Sequence, residues 1–263
     1  MTNKPGLHLA HMREAAPLVQ NITNFVAMNV MANVLLAIGA SPAMVHARAE
    51  AAEFAGIAQA LSVNIGTADP EWGAAMMEAA QAMGAQGKPW VLDPVAVGAT
   101  AFRRDLGARL LDSAPTVIRG NASEILALAG SDAAGRGVDA DDPVSAAEAA
   151  ARHLAQRSGA VVAVTGPVDF VTDGEQAARI ANGHAMMPRV TALGCSLTGV
   201  VAAFCVTASP FDATVAALAA FGVAGEQAAL GARGPGSFAV ALIDALHGLT
   251  PEMLDRQARV APA

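Results

Sequence analysis

The segment Thr191-Ala192-Leu193-Gly194-Cys195-Ser196 stands directly ahead of an apolar run. A glycine-bearing turn that opens a helix aims several backbone N–H groups at one point, and the positive end of the helix dipole adds to them, so this turn predicts an anion site. Cys195 falls in the first helical turn, where a thiolate is expected to be favoured. Asp93, in Asp93-Pro94-Val95-Ala96-Val97-Gly98, ends a second apolar run. An isolated buried carboxylate is costly, so Asp93 is expected to meet a cation, a donor cluster or a cleft. A third run ends in Arg119-Gly120-Asn121-Ala122-Ser123-Glu124, and Asn121 with Glu124 three positions later is by itself the pattern of a helix capping box. Taken together, Asp93 and Glu124 at neighbouring strand ends could hold a hydrated Mg²⁺, which takes one or two protein carboxylates plus phosphate oxygens. Gln20-Asn21-Ile22-Thr23-Asn24 and Asn64-Ile65-Gly66-Thr67 offer amides and hydroxyls, although each alone reads as an ordinary strand-to-helix turn. Met44, after Ser41-Pro42-Ala43, is expected in a loop that could touch a ligand.

These groups follow short apolar runs that alternate with alanine-rich segments. Leu18 to Ile22, Ala60 to Ile65, Trp90 to Leu92, Thr116 to Ile118 and Ala160 to Val164 predict buried strands. Phe25 to Ile38, Pro70 to Gln86, Phe102 to Ser113, Ala122 to Ala129 and Val144 to Arg157 predict helices. Such alternation implies a mostly parallel sheet covered on both faces, whose ligands bind beyond the carboxyl ends of the strands. Beyond Val164, the turn residues Gly166-Pro167 and Asp173-Gly174 bracket Val168 to Thr172, and Ala178 to Ile180 follows, which predicts an antiparallel meander. The remainder reads as helices over Ser196 to Thr207, Asp212 to Leu230 and Ser237 to Leu246, with Gly231 to Ser237 as a tight turn. The polar stretch Gly130 to Pro143 reads as a loop, and the whole of 1–263 as a single domain.

Composition narrows the partners. The 263 residues carry 16 Lys and Arg against 23 Asp and Glu, a formal charge of −7, with no basic cluster that would track a phosphate backbone. Only 15% of residues are charged and the mean hydropathy is +0.41, so part of the apolar excess is expected between subunits. Two charge-free stretches, Ala15 to Ala47 and Val190 to Phe211, are long enough on paper to cross a bilayer. Their Asn, Gln, Thr, Gly and Pro content makes buried core helices the better reading. Cys195 and Cys205, in one predicted helix, lie ~15 Å apart along its axis, too far for a disulfide, and free thiols suit a reducing cytoplasm. The six histidines lack the spacing of a zinc site. There is no Walker-type phosphate loop, dinucleotide fingerprint or nucleophile elbow.

Taken in order, Gln20-Asn21-Ile22-Thr23-Asn24, Asn64-Ile65-Gly66-Thr67, Leu92-Asp93-Pro94-Val95, Arg119-Gly120-Asn121-x-x-Glu124, Thr165-Gly166-x-Val168-Asp169, Val190-Thr191-x-x-Gly194-Cys195 and Gly234-Pro235-Gly236-Ser237-Phe238 resemble hydroxyethylthiazole kinase of thiamine salvage over nearly the whole chain. The resemblance implies a three-layer ribokinase-like α/β fold, a homotrimer, and transfer of the γ-phosphoryl group of ATP to 4-methyl-5-(2-hydroxyethyl)thiazole. It implies that Asn24, Val26, Gly66, Gly194 and Cys195 line the thiazole pocket, that Pro42 and Met44 close it from the neighbouring subunit, and that Cys195 acts on the substrate hydroxyl. Arg119, Asn121 and Thr165 would contact ATP, and Asp93 and Glu124 would serve Mg²⁺. Two positions depart from the family pattern: Ala192 and Ala96 stand where glycine is usual. Other ribokinase-like activities, such as hydroxymethylpyrimidine (phosphate) kinase or a repair dehydratase for hydrated nicotinamide nucleotide, place aspartate where this chain has Cys195. A trimer that binds a thiazole or nucleotide without turnover is the remaining alternative.

Overall fold

Local chemistry sets most element boundaries in the computed structural model, which describes residues 4–130 and 143–263. Capping is explicit at several helices. Asp69 accepts from Trp72 N at 2.8 Å ahead of Pro70, Thr100 accepts from Arg103 N, and Ser209 and Thr250 cap helices that begin with Pro210 and Pro251. The chain runs α1 (Pro5–Ala15), β1 (Leu18–Ile22), α2 (Met28–Ile38), β2 (Ser41–Ala43), α3 (Arg48–Ile57), β3 (Ala60–Asn64), α4 (Pro70–Ala85), β4 (Trp90–Asp93), α5 (Ala101–Asp112), β5 (Val117–Asn121) and α6 (Ala122–Ala129). After the 131–142 segment come α7 (Pro143–Ser158), β6 (Val161–Thr165), β7 (Asp169–Thr172), β8 (Ala177–Ile180), α8 (Leu193–Phe204), α9 (Pro210–Ala229), α10 (Pro235–Gly248), α11 (Pro251–Gln257) and β9 (Val260–Pro262). The expected polar loop from 130 to 143 lies almost wholly outside the described residues.

The strands form one sheet in the order β2-β1-β3-β4-β5-β6-β7-β8-β9, parallel from β2 to β6 and antiparallel from β6 to β9. Alternate residues of each strand feed two separate cores. Val19, Ala60, Val91, Val117 and Ala163 pack with α1, α2 and α8 to α11, whereas Ile22, Leu61, Val63, Leu92, Ile118 and Val162 pack with α3 to α7. The result is the expected three-layer, mostly parallel α/β arrangement. From β1 the chain crosses outward to β2 and then returns to β3 on the other side, so the strand order reverses between β1 and β3. Crevices at such reversals are where open α/β sheets bind ligands.

The charge-free stretches resolve into separate short elements, and among the described residues no helix is long and apolar enough to cross a membrane. Met44 lies in a loop as expected, directly after an edge strand over Ser41–Ala43, a position where Pro42 costs no ladder bond on its free side. One expectation is corrected. The helix expected from Phe25 starts at Met28, because Asn24 and a turn of Phe25 to Ala27 come first.

Candidate active site

The carboxyl ends of β1, β3, β4, β5 and β6 deliver Asn24, Asn64, Asp93, Arg119 and Thr165 to one side of the sheet, and α8 closes over them. Asp93 is fully buried. Its Oδ2 accepts from Asn64 Nδ2 at 2.7 Å and from Thr198 Oγ1 at 3.0 Å, and lies 3.5 Å from Arg119 Nη1. Its Oδ1 has no partner. Burial pushes the Asp93 carboxyl up from the usual carboxylate range and Glu124 adds to this, while Arg119, Thr198 and Asn64 act the other way.

Arg119 spans the site. Its Nη2 donates to Thr165 Oγ1 at 2.7 Å, and its guanidinium lies so close to Gly194 that a Cβ there would sit 3.1 Å from both terminal nitrogens. Glycine at 194 therefore lets the cation approach the opening turn of α8. That turn is entered through Ala192 at φ 67°, and no side chain caps the helix, so its first amides remain available to an anion. Gly194 and Cys195 are partly exposed rather than sealed in the core.

The thiol is held from the β1 and β3 tips. Asn24 Nδ2 donates to Cys195 Sγ at 3.2 Å and to Asn64 Oδ1 at 2.9 Å, and Asn64 Oδ1 also accepts from Gly66 N. A Cβ on Gly66 would lie 2.7 Å from that of Asn24, so the close approach of these two loops requires glycine. The expectation of a favoured thiolate is overturned. Burial pushes the Cys195 thiol up and Asp93 adds to it, outweighing Asn24, Arg119 and Asn64, which act in the opposite sense.

At the β5 tip the capping box is present: Asn121 accepts from Glu124 N at 3.0 Å and Glu124 Oε2 accepts from Asn121 N at 2.8 Å. Glu124 Oε1 also accepts from Ala96 N at 3.0 Å, so one carboxylate ties the β4 and β5 loops together. Among the described residues no three His, Cys, Asp or Glu side chains gather into a metal cluster. A hydrated Mg²⁺ needs fewer, and the unpartnered Asp93 Oδ1 fits a donor set completed by Glu124, water and phosphate.

Asn24, Gly66, Asp93, Arg119, Thr165, Gly194 and Cys195 thus converge, with Asn121 and Glu124 beside them. Val26, Pro42 and Met44 do not join this hydrogen-bonded set within one chain. Val26 is 57% exposed, Pro42 pairs with Val19 on the sheet edge, and Met44, partly buried, packs against the core. Sequence reasoning passed over Thr198 and Arg103. Thr198 lies one turn beyond Gly194 on α8, on the face that Asp93 meets, a helical spacing that could have pointed to it. Arg103 donates to the carbonyls of Val95 at 2.7 Å, Ile65 at 3.1 Å and Gly66, fastening the β3 and β4 loops to each other. No pattern in the chain marks that role, because its acceptors are backbone.

The layered sheet, with polar groups at the strand reversal and an uncapped helix over them, has a ribokinase-like fold. A ribokinase-like superfamily protein from Enterococcus faecalis shares the fold at a TM-score of 0.65, covering 91% of this chain and 89% of its own, at 12% identity. More particularly, the chain belongs to the hydroxyethylthiazole kinase family, whose pattern matches residues 9–252. It is 69% identical over 258 residues to the hydroxyethylthiazole kinase of Cereibacter sphaeroides, covering 98% of each chain. The structure of hydroxyethylthiazole kinase from Pyrococcus horikoshii OT3 is similar at a TM-score of 0.91 and 40% identity over 98% of both chains.

Proposed function

We propose that this chain transfers the γ-phosphoryl group of ATP to the hydroxyethyl oxygen of 4-methyl-5-(2-hydroxyethyl)thiazole, a step that feeds thiamine synthesis. The observation that carries this reading, beside family membership, is the meeting of Arg119, Asp93 and the Gly194 turn within reach of the Cys195 thiol. Phosphoryl transfer asks a protein for positioning and charge neutralisation more than for covalent chemistry. The α8 amides and Arg119 offer donors where negative charge spreads over the migrating phosphoryl oxygens. Thr165 fixes the guanidinium, and Asn121 lies beside it on the nucleotide side. Asn24, Val26 and Gly66 shape the thiazole side.

In the reaction the alcohol oxygen forms a bond to the γ-phosphorus, the bond from that phosphorus to the bridging oxygen breaks, ADP leaves, and the hydroxyl proton passes to an oxygen of the transferred phosphoryl group and from there to solvent. Cys195, held as a thiol, orients the alcohol by hydrogen bonding rather than acting as a strong base. Asp93 and Glu124 would hold Mg²⁺, which when bound neutralises charge on the phosphate oxygens.

We further propose that residues 1–263 act as one catalytic domain in the cytoplasm and assemble as a homotrimer with sites between subunits. Phe25 and Val26, just ahead of the site-bearing end of α2, are 68% and 57% exposed, and Leu36 near the other end of that helix is 61% exposed, apolar area that suits a subunit contact. Pro42 and Met44 of the neighbour would then close the pocket over Val26. An assay of ADP release with ATP-Mg²⁺ and a panel of alcohols tests the reading. Release with the thiazole alcohol in preference to hydroxymethylpyrimidine supports it, and binding without ADP release overturns it in favour of a non-catalytic role.

A further inference from the structure

Asn64 is fully buried at the tip of β3, and both ends of its amide are engaged. Its orientation is not arbitrary. The Gly66 backbone N–H, which can only donate, points at Asn64 Oδ1 at 2.9 Å, so the amide nitrogen must face Asp93 Oδ2 at 2.7 Å. Asn24 is fixed in the same way: the Ala27 N–H donates to Asn24 Oδ1 at 3.0 Å, which turns Asn24 Nδ2 toward Asn64 Oδ1 and Cys195 Sγ. Two obligatory backbone donors therefore set the sense of a continuous chain of hydrogen bonds from Cys195 through Asn24 and Asn64 to Asp93. Sγ must accept from Asn24, so the thiol's own proton is free to point away from the amide and into the pocket. A side chain with a donor at one end and an acceptor at the other is needed at position 64. An aspartate would set two carboxylates against each other, and an aliphatic residue would strand Asp93 and Asn24 together.

We propose that Asn64 is a positioning residue for phosphoryl transfer, coupling the carboxylate on the phosphate side to the thiol on the alcohol side so that both are held in register. This rests on the kinase reading above. Buried networks of this kind act as units, and outer partners of a reacting centre are typically worth about 10–100-fold in activity.

The test is a double-mutant cycle on the full-length protein with ATP-Mg²⁺ and the thiazole alcohol, using Asn64→Ser and Cys195→Ala singly and together. Asn64→Ser is expected to lower kcat by about 10–100-fold while KM for ATP stays within about threefold. In the Cys195→Ala background the same change is expected to lower kcat by a clearly smaller factor, because the thiol that Asn64 positions through Asn24 is gone and only its hold on Asp93 remains. Equal fold losses in both backgrounds would overturn the proposal and reduce Asn64 to a structural role. Asn64→Ala, with circular dichroism and calorimetric binding of the alcohol on each variant, separates unfolding from mispositioning. Folded variants that bind the alcohol and keep wild-type kcat would also overturn it. Failure of the wild-type chain to release ADP sinks the kinase reading instead, a different result from a cycle that closes additively.

Discussion

Asp93 and Arg119, at the tips of the adjacent parallel strands β4 and β5, face each other at 3.5 Å with side-chain exposures of 1% and 11%. Removing one partner of a buried pair leaves an uncompensated charge, at a cost of about 3–5 kcal/mol, and the slight exposure of Arg119 places this site at the lower end. Arg119→Ala is therefore expected to lower Tm, and steady-state kinetics should show KM rising more for ATP than for the alcohol. A larger rise for the alcohol would contradict the assignment of Arg119 to the nucleotide side.

Cys195→Ala is expected to remove most of the activity, and Cys195→Asp to retain it. The Asn24 Nδ2 group that now donates to sulfur can donate equally to a carboxylate, which would orient the alcohol and accept its proton. Initial rates at saturating ATP check this. Equal rates for wild type and Cys195→Ala would remove the thiol from the reaction.

Ala192 and Ala96, the two positions that depart from glycine in the family pattern, both adopt left-handed backbone, at φ 67° and 51°. A left-handed residue with a Cβ costs about 1–2 kcal/mol, and glycine gives back about 0.5–1 kcal/mol of that in chain entropy. Ala192→Gly and Ala96→Gly should each stabilise the fold by up to about 1 kcal/mol, raising Tm by ~1–4 °C in differential scanning calorimetry. A fall in Tm at either site would mean that its alanine methyl packs better than the backbone geometry suggests.

The tips of this sheet were more legible than its edges. Runs such as Leu18 to Ile22 and Ala122 to Ala129 carry apolar or capping patterns strong enough that the predicted and observed bounds coincide. The edge strands Ser41–Ala43 and Val260–Pro262 have three residues each and contain proline, and their pairing is supplied by neighbours rather than by propensity. Helices α1, α3 and α11 were likewise not marked, since α3 (RAEAAEFAGI) buries only Ala51 and Ala55 and presents no apolar stripe to read. In the site, the strand-end carboxylate pointed to Asp93 and the glycine turn opening a helix pointed to Cys195, whereas Arg119 was marked by the family resemblance. The state of the thiol did not follow from its place on the helix, because burial and Asp93 outweigh Asn24, Arg119 and Asn64, which favour the thiolate.

Asp169 provides a pH signature. Burial raises its carboxyl to about 6, against a hydrogen bond from Gly166 N and the attraction of Arg119. Because the folded value lies above the unfolded one, its contribution to stability is fully present below the unfolded pKa of 3.8 and is lost as pH rises through about 6. Asp169→Asn keeps an acceptor for Gly166 and is expected to remove this part of the stability change between pH 4 and 6 in urea titrations. An unchanged pH dependence would place the Asp169 carboxyl in an ordinary solvated setting.

The most direct measurement is ADP release by the wild-type chain with ATP-Mg²⁺ and 4-methyl-5-(2-hydroxyethyl)thiazole, run beside Cys195→Ala and followed by mass spectrometry of the alcohol. The phosphorylated alcohol should appear in step with ADP for the wild type and be largely lost in the variant. ADP forming without phosphorylated alcohol, or equal product from both proteins, would contradict a phosphoryl group passing between the Gly194 turn and the Cys195 thiol.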